Sequence, residues 1–222
     1  MVKMKRPRIC AVIVSDDLAA IKEIEPLIDL FEVRIDLIGN GWQELVKQLN
    51  QPWIACNRRA DEGGRWGKGE PERIDELLKA TELGADMIDI ELRTANLSEA
   101  IGLIKPRAKC LISFHDLKGT PPFDEIKAMV QRQIDAGADV CKLVTTARSF
   151  EDNVTVLQLI SSFPNTKIVS FAMGHLGLVS RILCPLVGGD FTYASIEKGK
   201  ESAAGQITAT DLRKIYEMVA KC

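Results

Sequence analysis

Three apolar, strand-like stretches each carry a side chain able to do chemistry with the others. Lys142 sits in DVCKLVTTA (139–147), His115 ends KCLISFH (109–115), and Glu91 lies in DMIDIEL (86–92). Val140, Cys141, Leu143 and Val144 surround Lys142 with apolar neighbours, and an ammonium stripped of water is costly unless it is paired or neutralised. A neutral lysine amine attacks a ketone, and burial or nearby cations lower its pKa towards that form. Arg34 and Arg58 are the candidate cations. The resulting imine is an electron sink that acidifies the adjacent C–H bond. His115 is the only histidine on a strand-like stretch, and its ordinary pKa, close to neutrality, suits it to take that proton. Glu91 is then expected to hold the imidazole tautomer, as the acidic member of a serine-protease triad does. The plainer alternatives are a lysine that neutralises a carboxylate in a structural core and a histidine bonded to a backbone carbonyl.

These side chains need a frame that gathers several strands. Strand patterns occur at 8–14, 31–38, 53–57, 86–92, 109–115, 139–145, 167–173 and 190–194. Helical spacing of apolar residues fills the gaps at 17–29, 41–50, 71–83, 97–105, 123–136, 150–162, 176–187 and 208–220. Ser149 stands where a helix N-cap is expected, and Gly84 and Gly137 where helices should end. Repeated strand–helix units require a parallel sheet with right-handed crossovers. Eight of them close most economically into an α/β fold of the (β/α)8 TIM-barrel class, read as a single domain over 1–222. A doubly wound open sheet is the alternative, but no G-x-G-x-x-G follows the first strand. Strands buried on both faces should be apolar throughout, yet Glu32 and Arg34, Asp89 and Glu91, Ser113 and His115, and Lys142 all share the face opposite their apolar neighbours. The outer face must meet helices, so these charges are expected inside the barrel, towards the end where barrel enzymes work.

Bulk properties remove several classes. The 222 residues are 46% hydrophobic and 27% charged with net charge −2, ordinary for a soluble globular chain, and no basic face suggests nucleic acid or an anionic membrane. The apolar run after MVKMKRPRIC is too short for a signal peptide, and no run is long enough to span a bilayer. Cys10, Cys56, Cys110, Cys141, Cys184 and Cys222 form no C-x-x-C pair and read as small core residues in a reducing cytoplasm. Two histidines and scattered thiols make a zinc site unexpected. Lys68 in ADEGGRWGKGEP (60–71) lacks the Ser or Thr of a Walker motif, which leaves that segment, like 197–206, as a mobile-loop candidate.

The ordered set EVRID (32–36), RRADEGG (58–64), DIELR (89–93), SFHD (113–116), CKLVTTA (141–147), MGHLGLVSR (173–181) and ESAAGQ (201–206) resembles type I 3-dehydroquinate dehydratase over nearly the whole chain. The resemblance implies a (β/α)8 barrel that removes water from 3-dehydroquinate to give 3-dehydroshikimate in the shikimate pathway. It implies an imine on Lys142 with no other cofactor, His115 as the proton-transfer group and Glu91 orienting it. Glu32, Arg34 and Arg58 are implied to meet the ring hydroxyls, while Arg181, Ser202 and Gln206 hold the carboxylate. A homodimer is implied too, although no exposed apolar stripe supports it. Ala204 replaces the proline usual in the family's SAPGQ loop, and Leu117 stands where an aromatic residue is common. A class I aldolase shares the lysine chemistry and the fold class, and a non-catalytic barrel binding a polyol acid would keep Arg181 and Gln206 with little use for Lys142.

Overall fold

The computed structural model describes residues 6–221. The N-terminal basic stretch up to residue 5 and Cys222 lie outside them. Strands and helices alternate along the chain. β1 (Ile9–Ile13) leads to α1 (Leu18–Ile24), β2 (Leu30–Arg34) to the short α2 (Ile35–Ile38) and α3 (Trp42–Val46), and β3 (Trp53–Cys56) to α4 (Glu70–Glu82). β4 (Met87–Glu91) precedes α5 (Leu97–Ile104), β5 (Lys109–His115) precedes α6 (Phe123–Asp135), and β6 (Val140–Thr146) precedes α7 (Glu151–Ser162). β7 (Ile168–Met173) with α8 (Leu178–Leu183) and β8 (Thr192–Ser195) with α9 (Ala209–Val219) complete the series. All ladders are parallel, and the strand order 7-6-5-4-3-2-1-8 brings the last strand against the first. The expected (β/α)8 barrel is present, with one seam. Between β7 and β8 the backbone link is Asp190 N–H to Ile168 O at 2.8 Å, and Arg181 on α8 contacts both strands. Its Cζ lies 4.3 Å from the Phe171 ring centroid on β7, and its Nη1 donates to Tyr193 O on β8.

Alternation along each strand sorts the interior into layers. Cys10, Leu30, Ile54, Met87, Leu111, Val140, Val169 and Phe191, one from each unit, close the floor as an apolar cluster. Two residues further on come Val12, Glu32, Cys56, Asp89, Ser113, Lys142, Phe171 and Tyr193, all buried. The opposite strand faces are apolar and pack against the helices, as Ile88, Ile90 and Ile112 do with Leu77, Ile101 and Ile104. The Cys10, Cys56, Cys110, Cys141 and Cys184 thiols are buried and unpaired.

Local expectations met tertiary limits at several points. The strand expected through residue 38 ends at Arg34, because the chain turns into α2. Asp36 therefore leaves the strand face and folds back on Arg34, taking its Nε and Nη2 at 2.8 Å each. The helix expected at 176–187 is regular only over Leu178–Leu183, and the next turn is a 3-10 turn containing Pro185. The helix expected at 41–50 covers only Trp42–Val46. Phe150, not Ser149, is the N-cap residue of α7, and Asp152 accepts the Ser149 N–H instead. Gly84 and Gly137 do close their helices in the left-handed region, at φ 88° and 92°.

First and last units are tied by Arg213 on α9. Its guanidinium donates to Leu27 O, Pro7 O and Asp29 Oδ2. Replacing it leaves partly buried acceptors unmet, so Arg213→Met should lose about 1–3 kcal/mol of stability in urea unfolding. A loss below about half a kcal/mol would show that the clasp is dispensable.

Candidate active site

Lys142 points into the barrel from mid-β6. Its Nζ donates to Asp89 Oδ2 at 2.8 Å and to Glu32 Oε2 at 3.0 Å, and lies 4.2 Å from the Tyr193 ring centroid. Burial and the Arg58 charge both disfavour the ammonium, but Asp89 and Glu32 outweigh them and hold its pKa above the ordinary value. The sequence reading expected the opposite direction. At rest the lysine is charged, because two carboxylates face it while the cations expected to repel it are themselves neutralised. Arg34 is spent on Asp36, and Arg58 is divided among Asp89, Glu91 and Ser113.

Glu91 does not reach His115. One of its oxygens accepts from Arg58 Nη1 at 3.0 Å and Arg59 N at 3.1 Å, and the other from Arg73 Nη1 at 2.7 Å. In the ladder Glu91 lies opposite Ser113, two residues before His115, and its carboxylate bonds these β3-end and α4 donors. The partner of His115 is Glu62, whose Oε2 accepts the His115 backbone N–H at 3.0 Å and lies 3.0 Å from Nδ1. Sequence reasoning missed it because Glu62 belongs to no strand. A 3-10 turn (Ala60–Glu62) followed by Gly63 at φ 84° delivers it, and a Cβ on Gly64 would collide with Arg58 O. The Glu-Gly-Gly run was the available signal. Asp89 was visible on the polar face but not singled out, and it proves to be the carboxylate shared by Lys142, Arg58 and Ser113.

Burial, with Arg58 and Lys142 nearby, pushes the imidazole of His115 well below its ordinary pKa, so the ring is neutral at neutral pH. With Nδ1–H turned to Glu62, Nε2 is left to accept a proton. Burial also raises the Glu62 carboxyl to about 7.

A cavity of about 360 Å³ opens at the C-terminal ends of the strands, lined by Glu32, Arg34, Arg58, Glu62, His115 and Lys142 on one side and Arg181, Ser202 and Gln206 on the other. Arg181 is buried with Nε and Nη2 unpartnered, and desolvation lowers its pKa to about 10, which leaves it cationic at neutral pH. Ser202 donates through N and Oγ to Gln206 Oε1 at 2.9 and 3.2 Å. Their loop is pinned to the end of β7 by Gly174 N–H to Ala204 O at 2.9 Å. The Glu32, Cys56 and Asp89 donor atoms lie within 4.8 Å of one another. The Lys142 ammonium already bonds both carboxylates, and burial pushes the Cys56 thiol well up, so the cation of this cluster is the lysine itself.

The Glu62 shift has a measurable sign. Its folded pKa, about 7, exceeds the roughly 4.3 of an exposed glutamate, so the folded state keeps a proton that the unfolded chain releases. Stability is full below the lower value and falls as pH rises through the upper one. From pH 5 to pH 8 the wild type should lose about 2–3 kcal/mol relative to Glu62→Gln, read from urea midpoints. A constant difference would mean that Glu62 is ionised throughout.

Comparison with known proteins agrees with this geometry. The family model described as Type I 3-dehydroquinase matches residues 9–221. A 3-dehydroquinate dehydratase of Dehalococcoides mccartyi is 44% identical over 216 residues, 97% of each chain. The crystal structure of type I 3-dehydroquinate dehydratase from Clostridium difficile shares the fold at TM-score 0.86 and 23% identity, covering 97% of this chain and 93% of that one. The 3-dehydroquinate dehydratase of Aquifex aeolicus gives TM-score 0.79 at 26% identity, over 94% and 98%. A barrel whose buried lysine, histidine and arginine open on one cavity, joined to a family match along nearly its full length, places the assignment beyond fold alone: the chain belongs to the type I 3-dehydroquinase family.

Proposed function

We propose that the chain removes water from 3-dehydroquinate to give 3-dehydroshikimate, in the shikimate route to aromatic amino acids, through an imine on Lys142. The observation that carries this reading is a buried Lys142 lining the same cavity as Arg181, a buried guanidinium whose Nε and Nη2 have no partner among the described residues. A planar guanidinium grips a carboxylate through two parallel bonds, and Ser202 and Gln206 add neutral hydrogen-bonding groups beside it. The cavity volume falls within the range of roughly 300–1,000 Å³ usual for small-molecule sites.

Lys142 must lose its proton before it can attack. A substrate hydroxyl donating to Glu32 takes up one of the two carboxylates that stabilise the ammonium, burial then favours the amine, and its proton is released to solvent through the cavity. The amine nitrogen bonds the ketone carbon, and the carbinolamine loses water to give the imine. His115 Nε2 takes the proton from the adjacent carbon, and the electron pair forms the new double bond as the β-hydroxyl leaves with a returned proton. Water then adds to the imine and releases enone and amine. Arg181, Ser202 and Gln206 stand where a phosphate-binding aldolase would present backbone amides of glycines, which favours a carboxylate substrate. A single barrel domain, a cytoplasmic setting and a homodimer complete the reading; the continuous eight-stranded sheet and the unpaired, buried thiols support the first two. Among the described residues no helix is long and apolar enough to cross a membrane.

Ultraviolet absorbance of the conjugated enone should rise when the purified protein meets 3-dehydroquinate. Borohydride added during turnover should leave substrate mass on the peptide bearing Lys142. Lys142→Ala should abolish turnover, and Arg181→Ala should raise KM by roughly 10- to 1,000-fold with a smaller change in kcat. Absorbance without an adduct on Lys142 would discard the covalent route, and no absorbance from folded protein would discard the dehydratase reading.

A further inference from the structure

Arg73 stands on α4, outside the strand ring, yet it is fully buried. All five of its N–H groups find acceptors. Nη1 donates to Glu91 Oε2 at 2.7 Å and Asn57 O at 3.1 Å, Nη2 to Thr94 Oγ1 at 2.9 Å and Glu70 Oε1 at 2.8 Å, and Nε to Glu70 Oε2 at 2.9 Å. The other Glu91 oxygen holds Arg58 Nη1, whose Nη2 meets Asp89 Oδ2, the same oxygen that Lys142 bonds. Alternating charges thus run from Glu70 through Arg73, Glu91, Arg58 and Asp89 to Lys142 and Glu32, from the outer helix to the reactive amine. Packing alone would be served as well or better by apolar side chains, so the unbroken sequence of charges calls for another account.

We propose that Arg73 and Glu91 are a positioning pair that holds the Arg58 guanidinium against Asp89 and thereby sets the charge felt by Lys142. Neither residue lines the cavity. The proposal rests on the reading of Lys142 as the nucleophile. Lys142 is faced by Glu32 from β2, Cys56 from β3, Arg58 just beyond it, Asp89 from β4, His115 from β5, Cys10 from β1 and the Tyr193 ring from β8. Around Glu91 stand Arg58, Arg59, Arg73 and Glu62. Removing the Arg73 charge leaves Glu91 uncompensated and favours the ammonium. Removing the Glu91 charge leaves two guanidinium groups uncompensated and favours the amine. The two changes therefore move Lys142 in opposite directions, which a pair serving only packing cannot do.

Trace acetylation with acetic anhydride across pH, read by mass spectrometry on the peptide containing Lys142, reports the midpoint at which the amine becomes free. It needs no turnover, so its failure is separable from failure of the dehydratase reading. Arg73→Met should raise the midpoint and Glu91→Gln lower it, each by about one pH unit. The double variant should return to within a few tenths of wild type. If Arg73→Met does not fold, the isosteric Glu91→Gln against the double variant still reads the sign, with Glu91→Gln the lower of the two. Single variants that shift the midpoint in the same direction, or that only lower the melting temperature, would overturn the proposal, as would coincident midpoints for Glu91→Gln and the double variant.

Discussion

Placing the Lys142 ammonium inside a barrel obliges the surrounding residues to match its charge within hydrogen-bonding distance, since an isolated buried ion is far costlier than any packing gain it allows. Asp89 and Glu32 do this directly. Each of them then needs donors of its own, and Asp89 finds them in Arg58 and Ser113. Arg58 in turn needs Glu91, and Glu91 needs Arg73. One ammonium in mid-strand propagates a demand for complementary charge across β2, β3, β4 and β5 and out to α4. The apolar floor below and the apolar outer faces of the same strands supply the burial that offsets the cost.

Two cations of the site stand in opposite states. Lys142 is held between two carboxylates and against the Tyr193 ring. Arg181 is buried against Phe171 and Tyr193 and keeps Nε and Nη2 without partners among the described residues, an arrangement open to an acceptor. In the proposed reaction one ligand answers both, its hydroxyl meeting Glu32 and its carboxylate Arg181. Resting charge is thereby stored in a form that ligand entry rearranges rather than creates. Arg181 spans the seam between β7 and β8 by contacts to both, stacking on Phe171 and bonding the backbone of Tyr193.

Burial also governs the His115–Glu62 pair. The interior disfavours imidazolium and carboxylate alike, so His115 moves down and Glu62 up. The pair meets neutral pH with an unprotonated ring nitrogen and a carboxyl near its midpoint, a combination suited to passing one proton back and forth. Asp89, a short distance away, behaves in the reverse manner: against its own desolvation, Arg58 and Lys142 hold it well below the carboxylate range. Carboxylates in one barrel thus differ by the donors that reach them, not by their depth.

The alternation of strand and helix, the charged inner face and the candidacy of Lys142 and His115 were legible in the sequence alone. So was the ordered motif set that pointed to Arg181, Ser202 and Gln206. All of these rest on period and order along the chain, and strand side chains alternate by geometry whatever the partner. Only the tertiary structure decided that Glu62 rather than Glu91 faces His115, that Lys142 is held charged at rest, that Arg34 is spent on Asp36, that Arg73 is wholly buried, and that the barrel has a seam. Each of those depends on which side chains barrel tilt and register bring within about three ångströms. Local spacing places a residue on a face, whereas the partner across that face comes from another strand or loop whose approach only the closed barrel defines.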